Sequence, residues 1–226
     1  MESQNTRFGG ATLVRPTYPA VLGLLLTFIV MVPLIEALSQ LRVGVMLSLA
    51  GLTIPILAVA AASDRQRHRR VAFSLAVLSA LVNGATLPAQ GLPLWAGSGA
   101  SLIFLAYTTY LVLRAVLGSA HVTPEIVAGA LASYVMIGLT WAIAFGVVEM
   151  HRTGSIHFAG AQAEVRFSDL LYFSYVSLLT IGYGDITPVS SVARTLVVLE
   201  GLLGMAFTTV LLAVLVAKVL GRGEGG

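Results

Sequence analysis

Long aliphatic runs alternate along the chain with short polar breaks, and the run lengths carry the first prediction. A helix that crosses a bilayer needs about 20 mostly apolar residues rising about 1.5 Å each. Six runs meet that length: 18–38, 43–62, 71–87, 100–117, 126–148 and 194–220. The break "GSAHVTPE" at 118–125 divides them unequally. There, Thr123 reads as an N-cap, with Pro124 in the first helical position and Glu125 in the first turn. The pattern predicts an N-terminal segment 1–17, a four-helix module 18–118 and a second unit 119–226.

Between the fifth and sixth runs the period changes. A polar stretch, "EMHRTGSIHFAGAQAEVR", is followed by "FSDLLYFSYVSLL", 13 residues that as a helix extend only about 20 Å. That is too short to cross. Ser168 and Asp169 can cap such a helix, which dips into the membrane and must return. Irregular backbone at that depth survives only where protein buries it or where it lines a water-filled path. The second unit therefore parses as an outer helix 124–148, an external loop 149–166, a half-length helix 167–179, a re-entrant loop 180–185 and an inner helix 194–220.

Composition sharpens this to a membrane protein. The chain is 57% hydrophobic and 10% charged, against about 25% charged in soluble domains. With no cysteine, disulfides and thiolate metal sites are excluded. The net charge of +3 does not point to nucleic acid, because the basic residues are scattered through the inter-helix breaks, where they set orientation. With both termini inside, nine Lys and Arg face the cytoplasm and four (Arg42, Arg152, Arg166, Arg194) face out; "SDRQRHRR" at 63–70 is the main determinant. The expectation is a multi-pass protein of the cell membrane, surrounded by lipid, with cytoplasmic termini. The polar start lacks an A-x-A cleavage site, so the first run is expected to stay as an anchor.

The chemistry concentrates in "LLTIGYGDIT", 178–187. A segment whose successive carbonyls face one side needs φ to alternate between ordinary and positive values, which glycine adopts at little cost. Gly182 and Gly184 are spaced for that. If several copies surround an axis, the carbonyls of Thr180, Ile181, Gly182 and Tyr183, with the Thr180 hydroxyl, form oxygen rings that replace the water shell of a cation. Asp185 adds a carboxylate at the outer mouth, and the half-helix turns its partly negative C-terminal end toward the same place.

"TIGYGD" with this order of helices resembles the potassium-channel pore, over about 126–220. The resemblance implies an all-α membrane protein of six transmembrane helices with a re-entrant pore helix and selectivity filter, assembled from four identical chains. It further implies K+ held at Thr180, Ile181, Gly182 and Tyr183, with Asp185 closing the signature, and no organic cofactor. The four preceding runs match the six-helix members by topology alone. Two departures stand out: Leu179 replaces a threonine common before the filter, and Tyr172 and Phe173 occupy positions where relatives often carry tryptophans. Tyr172 can still bond Asp185 as filter support; Phe173 cannot bond Tyr183. A filter with fewer lateral bonds is expected to relax more easily and to gate or inactivate.

In the inner helix, Gly204 lies 22 residues beyond Gly182, where the family places a flexible glycine, with Gly201 one turn earlier. The alternative is that both merely permit close helix packing. Met205, Thr208, Leu212 and Val216 share a face that either lines the ion cavity or packs against a neighbour. Glu200 is a carboxylate inside a span, costly unless paired. It is expected to brace the filter through Ser174, Ser177 or a backbone amide, or else to be exposed near the outer surface.

The fourth run carries one arginine, Arg114, near its inner end, so the six-run layout is expected to lack a voltage-sensing helix. The chain ends shortly after Lys218, so no attached ligand-binding domain is expected. The sequence holds no H-E-x-x-H, G-x-S-x-G or phosphate-cradling loop, and an enzyme is not expected. A non-selective cation channel and a secondary transporter with a broken helix remain as alternatives. The transporter would want paired interruptions in two repeats, and one interruption is present.

Overall fold

A computed structural model describes residues 18–38, 66–85, 94–119, 122–160 and 165–220. The expected span 43–62 lies outside the described residues. In chain order the elements are α1 (Tyr18–Leu38), α2 (Gln66–Ala85), α3 (Leu94–Leu117), α4 (Pro124–His151), β1 (Ile156–Phe158), α5 (Phe167–Leu178), β2 (Ile186–Pro188) and α6 (Ser191–Leu220). Among the described residues the architecture is helical apart from one small two-stranded ribbon.

Four of these helices are long and apolar enough to cross a membrane: α1, Gly97–Leu117 of α3, α4, and Ser191–Leu211 of α6. The expected third span, 71–87, differs. Its helix α2 begins five residues earlier and absorbs the basic break, so its apolar part, Arg70–Val82, falls short of a span.

Helix α4 is the hub, packed against α1, α3, α5 and α6. Its start follows the cap expected from sequence: Ile126 N–H donates to Thr123 Oγ1 at 3.3 Å, with Pro124 opening the helix. Small residues Gly129, Ala130, Ser133, Gly138 and Ala142 are buried along it, which lets helices approach closely where lipid removes the hydrophobic drive for association. Helices α3 and α4 run antiparallel, with Ser98 near the start of one reaching Met150 near the end of the other at 3.9 Å. Ser79 and Ser101 hydroxyls, 3.1 Å apart, mark the same antiparallel relation for α2 and α3. Helix α1 runs parallel to α4: Tyr18 at its start lies beside Gly129, and Glu36 near its end reaches the N-terminus of α5.

Helix α5 buries Phe167, Leu170, Leu171, Ser174 and Leu178, an i, i+3, i+4, i+7 stripe that seats it on α4 and α6. The core at this junction includes Met136, Ile143, Phe145, Leu170 and Phe173, with the Phe145 and Phe173 ring centroids 4.8 Å apart. After α5 the chain turns back through 179–185 and pairs β2 with β1 in antiparallel register, His157 opposite Thr187.

Candidate functional site: a re-entrant loop held by its helix

The loop 180–185 is built on the C-terminus of α5. A helix end leaves its last four carbonyls without intrahelical partners, and here all of them are used. Tyr175 O accepts from Leu179 N at 2.9 Å and Ser177 O from Thr180 N at 3.0 Å. Val176 O accepts from both Ile181 N and Gly182 N, at 2.9 and 3.3 Å. Leu178 O accepts from the Tyr134 hydroxyl of α4 at 3.1 Å. The amides of Thr180, Ile181 and Gly182 are therefore tied back to the helix.

The backbone there alternates. Thr180, Gly182 and Gly184 take φ of 58°, 62° and 81°, and the intervening Ile181 and Tyr183 are not in the positive region. The two glycines follow the sequence expectation. Thr180 does not, because a β-branched residue at positive φ costs on the order of 1–3 kcal/mol and persists only where surrounding structure imposes it. Such strain at a loop of this kind is a mark of function.

The loop is exposed in the single chain, with Tyr183 at 70% and Leu179 and Ile181 at about half. Exposed apolar residues continue along α6, at Leu199, Leu202, Leu203, Met205, Val210 and Val216. Thr208 turns its hydroxyl back to Gly204 O at 3.1 Å and Met205 O at 3.0 Å. The side chain of Leu212 lies outside the described residues.

Three supports hold the loop laterally. The Tyr172 hydroxyl donates to Asp185 Oδ2 at 2.8 Å, and its ring stacks on Tyr183 with centroids 6.4 Å apart and planes 4° off parallel. Phe173 instead is buried against Phe145. Behind the loop, the Ser174 hydroxyl lies 2.5 Å from Glu200 Oε1 and 2.8 Å from Gly138 O. Glu200 is 0% exposed rather than solvent-facing. Above the loop, the ribbon joins rim to exit: Ala159 N donates to Asp185 O at 2.9 Å, and Val189 N to Ser155 O at 2.8 Å. Glu149 braces that rim, accepting Gly154 N–H at 2.6 Å and Ile156 N–H at 2.9 Å.

The cap of α5 differs from the sequence expectation. The helix begins at Phe167, one residue before Ser168, and Asp169 Oδ2 accepts from Arg166 N at 3.3 Å. The N–H groups of Phe167 and Ser168 donate instead to Glu36 of α1, at 3.0 Å to Oε1 and 3.2 Å to Oε2. Sequence reading missed Glu36. Its signal was that α1 contains no other charged residue.

Gly204 sits in close contact with the end of α5. A Cβ there would lie 2.5 Å from Leu178 O and 2.9 Å from Leu178 Cδ1, whereas one at Gly201 meets nothing within 4 Å of the chain. Gly204→Ala is expected to destabilise the protein by about 1–3 kcal/mol through overpacking. Gly201→Ala should change stability by no more than about 1 kcal/mol. Thermal unfolding of the two purified variants in detergent checks this, and equal midpoints would refute the close approach.

Among the described residues, no group of three His, Asp or Glu could hold a metal ion.

Four helices long and apolar enough to cross a membrane, with a half-length helix and its loop between the last two, frame the site. Residues 126–220 match the family model described as "Ion channel". Among curated proteins, Two pore potassium channel c of Oryza sativa subsp. japonica is 44% identical over 57 residues, 25% of this chain and 12% of the relative. Two-pore potassium channel 3 of Arabidopsis thaliana is 46% identical over 56 residues, 25% of this chain and 13% of the relative. The chain thus matches about an eighth of the length of these relatives. No solved structure matches. The family match points to a channel rather than an enzyme.

Proposed function

We propose that the chain forms a homotetrameric channel that passes K+ down its gradient and largely rejects Na+, with 180–185 as the selectivity filter. The observation that carries this reading is the alternation of positive φ at Thr180, Gly182 and Gly184 while the amides of 180–182 bond backwards to α5. Four such segments around an axis present stacked rings of carbonyl oxygen at Thr180, Ile181, Gly182 and Tyr183 in place of water. The exposed apolar residues of the filter and of α6 are accounted for by contact with neighbouring copies. Asp185, held by Tyr172, stands at the outer mouth, and Glu200 supports the filter from behind through Ser174.

The layout is six-spanning, with a four-helix module over 18–118 and the pore domain over 119–226. In this layout α2 crosses with its full 20 residues, Arg70–Val82 forming its apolar part. In this reading both termini are cytoplasmic in the cell membrane, which puts the N-terminus of α5, the rim ribbon and Asp185 outside. The face of Met205, Thr208, Leu212 and Val216 lines the cavity beneath the filter, with Gly204 and Gly201 as the places where α6 can bend.

Reconstitution of the purified protein in liposomes tests the reading. Uncoupled K+ or Rb+ flux, blocked by Ba2+ and far exceeding Na+ flux, is expected. Because α3 carries a single arginine, Arg114, and each charge moved through 100 mV yields only about 2.3 kcal/mol, that flux should depend weakly on potential. Equal K+ and Na+ flux would mean a non-selective channel, and flux coupled to a second ion would mean a transporter.

A further inference from the structure

We propose that Glu36 is a positioning residue for the filter, tying the first helix to the first turn of α5 so that α1 sets the filter's conducting state. The proposal rests on the channel reading and extends it to the module outside the pore domain.

Helix α5 has 12 residues, a rod of about 18 Å. At its inner end, Val176 O holds the amides of Ile181 and Gly182 in the filter. At its outer end the amides of Phe167 and Ser168 are bonded to no side chain of the helix's own cap. Residue 166 occupies the N-cap, where Ser, Thr, Asp or Asn would accept a first-turn N–H, but arginine has no acceptor. The carboxylate of Asp169 is turned back to Arg166 N. The first two amides of the helix, Phe167 and Ser168, go to one carboxylate 131 and 132 residues earlier in the chain.

A local side-chain cap would satisfy one amide and leave the rod free to shift relative to α1. Glu36 does something more. Its two oxygens take one amide each, at 3.0 and 3.2 Å, which fixes both the position and the rotation of the helix end. The negative charge also lies where the helix dipole favours it. Helix α1 is itself held through Val21, Leu25 and Val32 in the core shared with α4 and α5. A path of direct contacts therefore runs from α1 through Glu36, along α5, to the amides behind the filter. Either end can bias the other.

The test uses the full chain in liposomes, with steady K+ flux and amide exchange at Phe167 and Ser168 as readouts. Glu36→Ala is expected to speed exchange at both amides and lower flux about 5- to 30-fold, with Glu36→Gln intermediate. Adding Arg166→Ser to Glu36→Ala supplies a local cap without the tie to α1. Amide protection should then recover in part while flux stays low. Wild-type flux in Glu36→Ala overturns the proposal, as does full recovery of flux with Arg166→Ser, which would reduce Glu36 to a cap. If Glu36→Ala does not assemble, Glu36→Gln carries the same comparison. A wild-type protein that passes no K+ would refute the channel reading, and amide exchange would still decide whether Glu36 holds α5.

Discussion

Gly182→Ala should abolish K+-selective flux while the protein still folds and inserts. Gly182 holds φ of 62°, and a Cβ built there meets nothing within 4 Å in the chain, so no clash prevents folding. The cost is conformational. An L-residue in the left-handed region loses roughly 1–2 kcal/mol relative to glycine, and four copies would place roughly 4–8 kcal/mol on the conducting arrangement alone. The loop has little reserve against this, because Thr180 already stands at φ 58° with a side chain. A shift of that size lowers the conducting population about a thousandfold or more. Gly154 provides the control. It has φ of 81° in the rim turn, also with nothing within 4 Å of a built Cβ. Gly154→Ala should therefore lose comparable stability and keep its K+ preference. Liposome flux with K+ and Na+ measures both, and a Gly182→Ala protein that conducts with an unchanged ratio would remove the filter assignment.

Local signals made much of this site legible. The Thr123 cap lies within four residues of the helix it starts, and the glycine spacing at 182 and 184 is a local backbone requirement. The Tyr172 to Asp185 bond spans 13 residues across one turn, short enough to infer from the order of helix and loop. What stayed hidden depends on partners remote in sequence. Glu36 meets α5 across more than 130 residues, and the apolar run around it fixes only that the segment is a span, not which neighbour it faces. Ser168 was a reasonable cap by residue type, but the acceptor from α1 displaced that role. The rim ribbon pairs Phe158 with Ile186 across the whole of α5 and the filter, and three-residue strands carry too little alternation to announce themselves. Thr180 at positive φ was invisible because its residue type argues against it; three bonds from the amides of 180–182 to α5 carbonyls impose it. Gly204 looked the same on paper whether it bends or packs. The Leu178 carbonyl beside it supplies the packing reason.

Glu200→Gln is expected to leave the fold as stable or more stable, yet to change conduction. In the native chain Glu200 is fully buried, its Oε1 lies beside Ser174, and its Oε2 has no hydrogen-bond partner among the described residues. Ser174 has one proton and two acceptors within reach, Glu200 Oε1 and Gly138 O, so it cannot serve both at once. An unmatched buried acceptor costs about 1–3 kcal/mol, and an ionisable side chain kept within a span at that cost is a candidate for a functional test. Glutamine keeps the shape and adds two donors. It can donate to Ser174 Oγ while Ser174 donates to Gly138 O, which resolves the conflict and should raise the unfolding midpoint by a few degrees. Losing the native arrangement behind the filter should shift steady K+ flux or its dependence on external K+ by about 5- to 30-fold. Ser174→Ala should act oppositely on stability, costing about 1–3 kcal/mol by stripping Glu200 of its donor. The double variant then gives the coupling between the two side chains directly. Wild-type flux at every external K+ concentration in Glu200→Gln, with wild-type stability, would leave Glu200 with no part in supporting the filter.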